Sequence, residues 1–285
     1  MALELPAHYA ESVMIHSLSE DGGEDVSLRL ARFPDKGVAH VWLHVANEKG
    51  AWSLVDESFE LTHVDATAVR DDAVEFSAGR GTQWLRFESA GRNSGRLEGR
   101  VTGELLVAST RHPREERGTV ALAIDIDFAA RSAGYRSPTN RWEMTGRLAG
   151  TLDMAGNAFE FDHHYGKWHE QTGPRARFAP AFTYLNVQNE QLALLAIGYA
   201  DGAAGYAQFG QQTVGVSALT IDPPGSEERK FSVLLEDGRK IEGRSRMVQQ
   251  WSVPIEGKRR PGSSVIVDSN YATLWGTLND WNPEA

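Results

Sequence analysis

The 285-residue sequence contains no cysteine. That excludes disulfide bridges, thiol nucleophiles and thiolate metal sites. Positive charge is also scarce. Against 39 aspartates and glutamates stand 29 lysines and arginines, a formal net charge of −10. Phosphate binding needs a basic surface, so no nucleic-acid partner is expected. The one compact basic run, Lys258-Arg259-Arg260, lies between Glu256-Gly257 and Pro261-Gly262 and reads as a solvated turn. No apolar run approaches the roughly 20 residues that cross a bilayer, so no membrane span is expected. Residues 1–6 place no basic residue ahead of an apolar stretch, which does not match a secretory signal, and a cytoplasmic location is expected. Walker-type loops, a Gly-x-Gly-x-x-Gly turn and a Gly-x-Ser-x-Gly elbow are all missing, which disfavours kinase, dehydrogenase and serine-hydrolase chemistry. Capped helical stripes are missing too, although His112 to Arg117 is long enough for one turn.

What the sequence has in abundance is period-2 alternation. In Thr119 to Phe128 the even positions Val120, Leu122, Ile124, Ile126 and Phe128 are large and apolar, and the odd ones are small or acidic. This is the pattern of a strand with one buried face. Phe231 to Gly243 carries Asp237-Gly238 between two strand-like runs, a strong hairpin signal. Similar runs cover Trp84 to Phe87, Leu192 to Tyr199, Thr213 to Ile221, Arg244 to Val253 and Val265 to Trp275. Turn residues punctuate them about every ten positions, and the 28 glycines suit the bends of sandwiches and barrels. The fold class is therefore all-β. The polar, proline-containing stretch Arg131 to Asn140 is the expected seam, dividing the chain into residues 1–137 and 138–285.

The most chemically loaded stretch is Phe161-Asp162-His163-His164-Tyr165-Gly166-Lys167-Trp168-His169-Glu170. Read as an unbroken strand, it puts Asp162, His164, Gly166 and Trp168 on one face. His163, Tyr165, Lys167 and His169 then share the other, which reads as the solvated side. A carboxyl in an apolar pocket has a raised pKa and can serve as a general acid, with His164 as its partner or relay and Trp168 as an apolar wall. The alternative is a polar strand edge facing water. Three histidines with Asp162 and Glu170 supply enough ligands for a metal, but His164 and His169 alternate to opposite faces and no helical His pair exists, so neither metal nor cofactor is expected.

A second cluster is Ala39 to Val45. Its odd positions are apolar, and its even positions form a His40-Trp42-His44 face of the kind that lines a ligand cavity. The alternative there is a domain interface with satisfied histidines. Tyr184 and Asn186 share a face of another strand and are further substrate-binding candidates, although buried tyrosines commonly only anchor a core.

Two segments carry a family resemblance: Trp142 to Leu152, with Gly146, Leu148 and Gly150 in a Gly-x-aliphatic-x-Gly pattern, and Phe161 to Gly166, matching aromatic-x-Asp-x-Asn-aromatic-Gly with His164 at the Asn position. The chain resembles the AttH-like and carotenoid 1,2-hydratase superfamily, which is itself similar to tocopherol cyclases and lipocalin-type pericyclases. The resemblance implies two lipocalin-like antiparallel β-barrels or sandwiches packed together, holding a hydrophobic small molecule such as a terpenoid, polyketide or aromatic. It also implies proton-transfer chemistry of the hydratase, lyase, isomerase or cyclase kind, with Asp162 as the acid. The rival expectation is a non-catalytic lipocalin-like binding protein for an apolar ligand.

Overall fold

The computed structural model describes residues 9–48, 50–60, 68–70, 73–80, 83–90, 94–109, 115–131, 134–137, 141–154, 157–174, 180–255 and 258–282. Among the described residues there is no helix, and none is long and apolar enough to cross a membrane. The strands are β1 (Tyr9–Leu18), β2 (Asp25–Phe33), β3 (Val38–Asn47), β4 (Gly50–Glu60), β5 (Ala68–Arg70), β6 (Ala73–Arg80), β7 (Gln83–Ala90), β8 (Ser94–Ser109), β9 (Glu115–Ala130) and β10 (Tyr135–Ser137). They continue as β11 (Arg141–Met154), β12 (Asn157–Pro174), β13 (Phe182–Gln188), β14 (Leu192–Tyr199), β15 (Gly202–Phe209), β16 (Gln212–Ile221), β17 (Glu228–Leu235), β18 (Lys240–Ile255), β19 (Lys258–Ser269) and β20 (Thr273–Trp281). The helical turn expected over His112 to Arg117 lies partly outside the described residues, and its last three positions belong to β9. Lys258 to Arg260, expected as a turn, begins β19.

The chain packs as two compact units, one of Met1–Ser17 with Val26–Ala176 and one of Leu18–Asp25 with Arg177–Ala285. The seam expected at residue 137 therefore falls inside the first unit. β11 is laddered to β9 from Gly146↔Ala130 to Met154↔Leu122 and to β12 from Arg141↔Gln171 to Met154↔Asn157, so a division there would separate paired strands of one sheet.

In the first unit a 12-stranded sheet runs β10-β11-β12-β1-β2-β3-β4-β8-β7-β6-β5. β9 pairs with both β8 and β11, so the run from β11 to β8 closes on itself through β9. The long β8 permits this. Its C-terminal part pairs with β4 and its N-terminal part with β7, while its other edge meets β9 throughout. Closure leaves no hydrogen-bonding edge on that circuit. The alternation read in β9 is kept: Leu122, Ile124, Ile126 and Phe128 are buried, and Ala123, Asp125 and Asp127 are exposed. They join Val13, Ile15, Leu28, Leu30, Val41, Leu43, Leu148, Phe159 and Phe161 in one apolar core.

The second unit is a closed barrel, β13 to β20 in sequence order, with β20 returning to β13 through Phe182↔Trp281 to Gln188↔Trp275. Leu185, Val187, Leu194, Phe231, Val233, Val265, Val267 and Leu278 fill its interior. The expected hairpin joins β17 and β18: Gly238 donates its N–H to the Leu235 carbonyl and adopts φ +86°, a conformation that glycine accepts without penalty. The run read as Val265 to Trp275 is broken at Asn270-Tyr271, where β19 turns back into β20.

Candidate functional site

Asp162 sits where β12 departs from an unbroken strand. The pairs Leu148↔His164 and Gly150↔Phe161 leave Asp162 and His163 opposite Ala149 alone, a β-bulge. An inserted residue reverses the alternation beyond it. Phe159 and Phe161 point into the core before the bulge, and Trp168 does so after it, although an odd number of positions separates it from them. The expected face of Asp162, His164, Gly166 and Trp168 is thus divided. Asp162 is exposed, and His164 is buried with its ring 5.4 Å from that of Phe161 at 82°. The His163 side chain lies outside the described residues.

Trp168 serves the core of the first unit. Its ring stands 5.6 Å from Phe87 and 5.9 Å from Phe128, and its Nε1 donates to Glu170 Oε1 at 2.9 Å. It also covers Gly95 on β8, where a Cβ would lie 2.5 Å from the indole. Trp168, expected as the apolar wall of a site, is packed among aromatics of the barrel interior.

The opposite face of β12 differs from its expected solvated character. Tyr165, Lys167 and His169 are buried, at 6%, 1% and 3% exposure. Lys167 Nζ donates to Glu143 Oε1 on β11 at 3.3 Å, Arg141 pairs with the same carboxylate, and His169 is the direct cross-strand neighbour of Glu143. Burial alone would push the Glu143 carboxyl up. The charges and hydrogen bonds of Arg141 and Lys167 together outweigh it and hold the group below the usual range. Next along this face the Arg147 guanidinium lies 3.7 Å over the Tyr165 ring. Among the described residues no group of three or more histidines and carboxylates gathers as a metal site.

The His40-Trp42-His44 face is the second cluster. On β3 the odd positions Ala39, Val41, Leu43 and Val45 enter the core, as alternation requires, and the even positions point away from it. Those even positions are nevertheless buried, at 7%, 5% and 1%. Neighbouring strands supply polar partners. His44 Nδ1 lies 3.3 Å from the Oγ of Ser53, its cross-strand neighbour on β4. From β2, Arg29 donates through Nη2 to Ser12 Oγ of β1 at 2.8 Å and lies 5.0 Å over the Trp42 ring. The His40 ring is 4.4 Å from that of Phe33 and 6.4 Å from that of Trp42. This gathers a cation, two imidazoles, hydroxyls and an aromatic plane, a combination able to orient a substrate oxygen and to move a proton.

Arg29, Ser12, Ser53 and Glu143 carry no signal in the sequence by themselves. In Asp25 to Phe33 the pattern marks Val26, Leu28 and Leu30 as inward, and Arg29 reads as an ordinary outward cation until strand pairing sets it beside Trp42. Tyr184 and Asn186 belong to the second unit. Asn186 is 5% exposed on the outward face of β13, opposite Thr277, and Tyr184 is half-buried opposite Asn279.

The architecture is a lipocalin-like β fold in two units, and solved structures share it. CghA with Sch210972 superposes with a TM-score of 0.61 at 10% identity, covering 96% of this chain and 86% of that one. Kievitone hydratase from Nectria haematococca gives 0.60 at 10% identity, covering 98% and 91%. A candidate AttH from Nitrosomonas europaea gives 0.57 at 10% identity, covering 99% and 98%. No family model matches the chain, and no curated protein does so by sequence. The likeness is one of fold.

Proposed function

We propose that this chain is an enzyme acting on a hydrophobic small molecule, a terpenoid, polyketide or aromatic, by acid–base proton transfer of the hydratase, lyase, isomerase or cyclase kind and without a cofactor. The observation that carries the reading is the buried His40-Trp42-His44 face with Arg29, Ser12 and Ser53, a polar constellation set apart from an apolar core. His40 and His44 are the acid–base groups, because an imidazole both gives and takes a proton near neutral pH. Trp42 supplies the apolar wall and a ring face for developing positive charge. Asp162, the acid implied by family resemblance, is exposed and is the weaker candidate, with His164 its near neighbour on the core side of the bulge. The fold neighbours support the class of reaction, since one is a hydratase and another is described with the small molecule Sch210972.

The test is to incubate the purified protein with kievitone and with chemically related prenylated aromatics and polyketides, following product by mass spectrometry. Loss of turnover in His40→Ala or His44→Ala with substrate binding retained supports the reading. Turnover that survives both but disappears in Asp162→Asn moves the chemistry to the bulge. A ligand that co-purifies and is never converted makes the protein a carrier.

A further inference from the structure

Arg29 is 6% exposed. Its contacts are the Ser12 hydroxyl and the Trp42 ring, and among the described residues no carboxylate pairs with it. Its Nε has no hydrogen-bond partner. A guanidinium taken out of water is held at considerable cost unless an anion and hydrogen bonds compensate it, and a hydroxyl with an indole face does so only partly. The chain has no shortage of acid to compensate it, with 39 carboxylate side chains and a net charge of −10. Arg141 and Lys167 of β11 and β12 share Glu143, and the other buried carboxylate on the Arg29 side of β2, Asp25, accepts from the Ser264 hydroxyl.

We propose that Arg29 is the receptor for an anionic oxygen of the ligand, a carboxylate or the enolate of an acidic carbonyl compound, whose conjugated plane lies along Trp42. The inference rests on the reading of the His40-Trp42-His44 face as the small-molecule site and adds the charge of the ligand. The guanidinium fork matches two coplanar oxygens, and the Trp42 ring face lies 5.0 Å from the guanidinium carbon. Positioned so, Arg29 binds and orients the ligand. His40 and His44 exchange its protons.

The probes are 2-naphthoate and its neutral counterpart 2-naphthamide, titrated calorimetrically into the full-length protein. Wild type binds the acid at least about tenfold more tightly than the amide, the ratio a charge-assisted hydrogen bond supplies. Arg29→Met brings the two affinities within about twofold and does not lower the melting temperature, because an apolar side chain of similar volume replaces a costly buried charge. Arg29→Lys keeps part of the preference and serves as the second variant if the first does not fold. Equal binding of both probes by wild type overturns the anion inference and leaves the site intact. A preference that survives in Arg29→Met overturns it as well. Failure of wild type to bind either probe at millimolar concentration overturns the site reading, and this inference with it.

Discussion

Replacing Glu143 by glutamine tests the character of the buried face directly. The carboxylate is 1% exposed and is shared by Lys167, also 1% exposed, and Arg141, 17% exposed. Removing one partner of a buried ion pair costs about 3–5 kcal/mol, chiefly because the remaining charge loses its compensation. Arg141 retains some contact with water and the glutamine oxygen keeps one hydrogen bond, so the lower end applies, about 3 kcal/mol. For a unit of this size that corresponds to a drop of roughly 6–12 °C in melting temperature. The assay is guanidinium denaturation followed by tryptophan fluorescence, together with calorimetry, at neutral pH. The sign with pH is fixed by the depressed carboxyl of Glu143. A carboxylate whose folded pKa lies below its unfolded value contributes fully above the unfolded value, about 4.3, and loses that contribution as pH falls through the folded one. The gap between wild type and Glu143→Gln therefore closes in acid. The double variant Glu143→Leu with Lys167→Met recovers most of the loss, since apolar replacement of a buried pair is close to neutral. A loss under about 0.5 kcal/mol at neutral pH, the scatter of surface substitutions, would refute the claim that this pair is desolvated.

Three further outcomes follow from particular contacts. Gly95→Ala pushes against the Trp168 indole and should cost about 1–3 kcal/mol with a change in tryptophan emission; unchanged stability would mean the ring is free to move. Burial, with Glu11 second, raises the Tyr9 hydroxyl to about 12. The neutral form is thus favoured by folding, and its contribution is complete below the unfolded value near 10 and lost as pH rises toward 12; Tyr9→Phe should lack that alkaline loss in urea titrations. Asp162→Asn should leave stability within about 0.5 kcal/mol, because the side chain is exposed, and a larger change by calorimetry would contradict its placement on the bulge.

Much of the fold is legible in the sequence because strand alternation is a local property. β9 can be read residue by residue from Leu122 to Phe128, the β17–β18 hairpin announces its own turn, and β14 spans the run from Leu192 to Tyr199. What escapes is non-local. That β12 pairs with β1, and so ties the strands beyond residue 137 into the first sheet, depends on contact between strands far apart in sequence. The candidate site is legible to the same extent. Alternation separates His40, Trp42 and His44 from the core, but it cannot tell whether a second face meets water. For β3 an enclosed face was expected, and the histidines are buried. For β12 a solvated face was expected, and Lys167 and His169 are buried too. The extra residue beside Asp162 changes no composition and breaks no run, so an unbroken strand was the natural reading of Phe161 to Glu170.

The bulge also bears on how such chains are compared and engineered. It acts as a phase switch in β12, letting Phe159 and Phe161 on one side and Trp168 on the other all reach the same core. Deleting a single residue at 162 or 163 would remove the bulge and bring Phe159, Phe161, His164 and Trp168 into step by plain alternation, each keeping its face. A strand of the present length without the bulge would instead take Lys167 into the core or lose Phe161 from it. A gap of one residue in this motif, which an aligner treats as trivial, is in this chain the difference between a strand that needs the bulge to keep its lysine outside the barrel and one that does so without it.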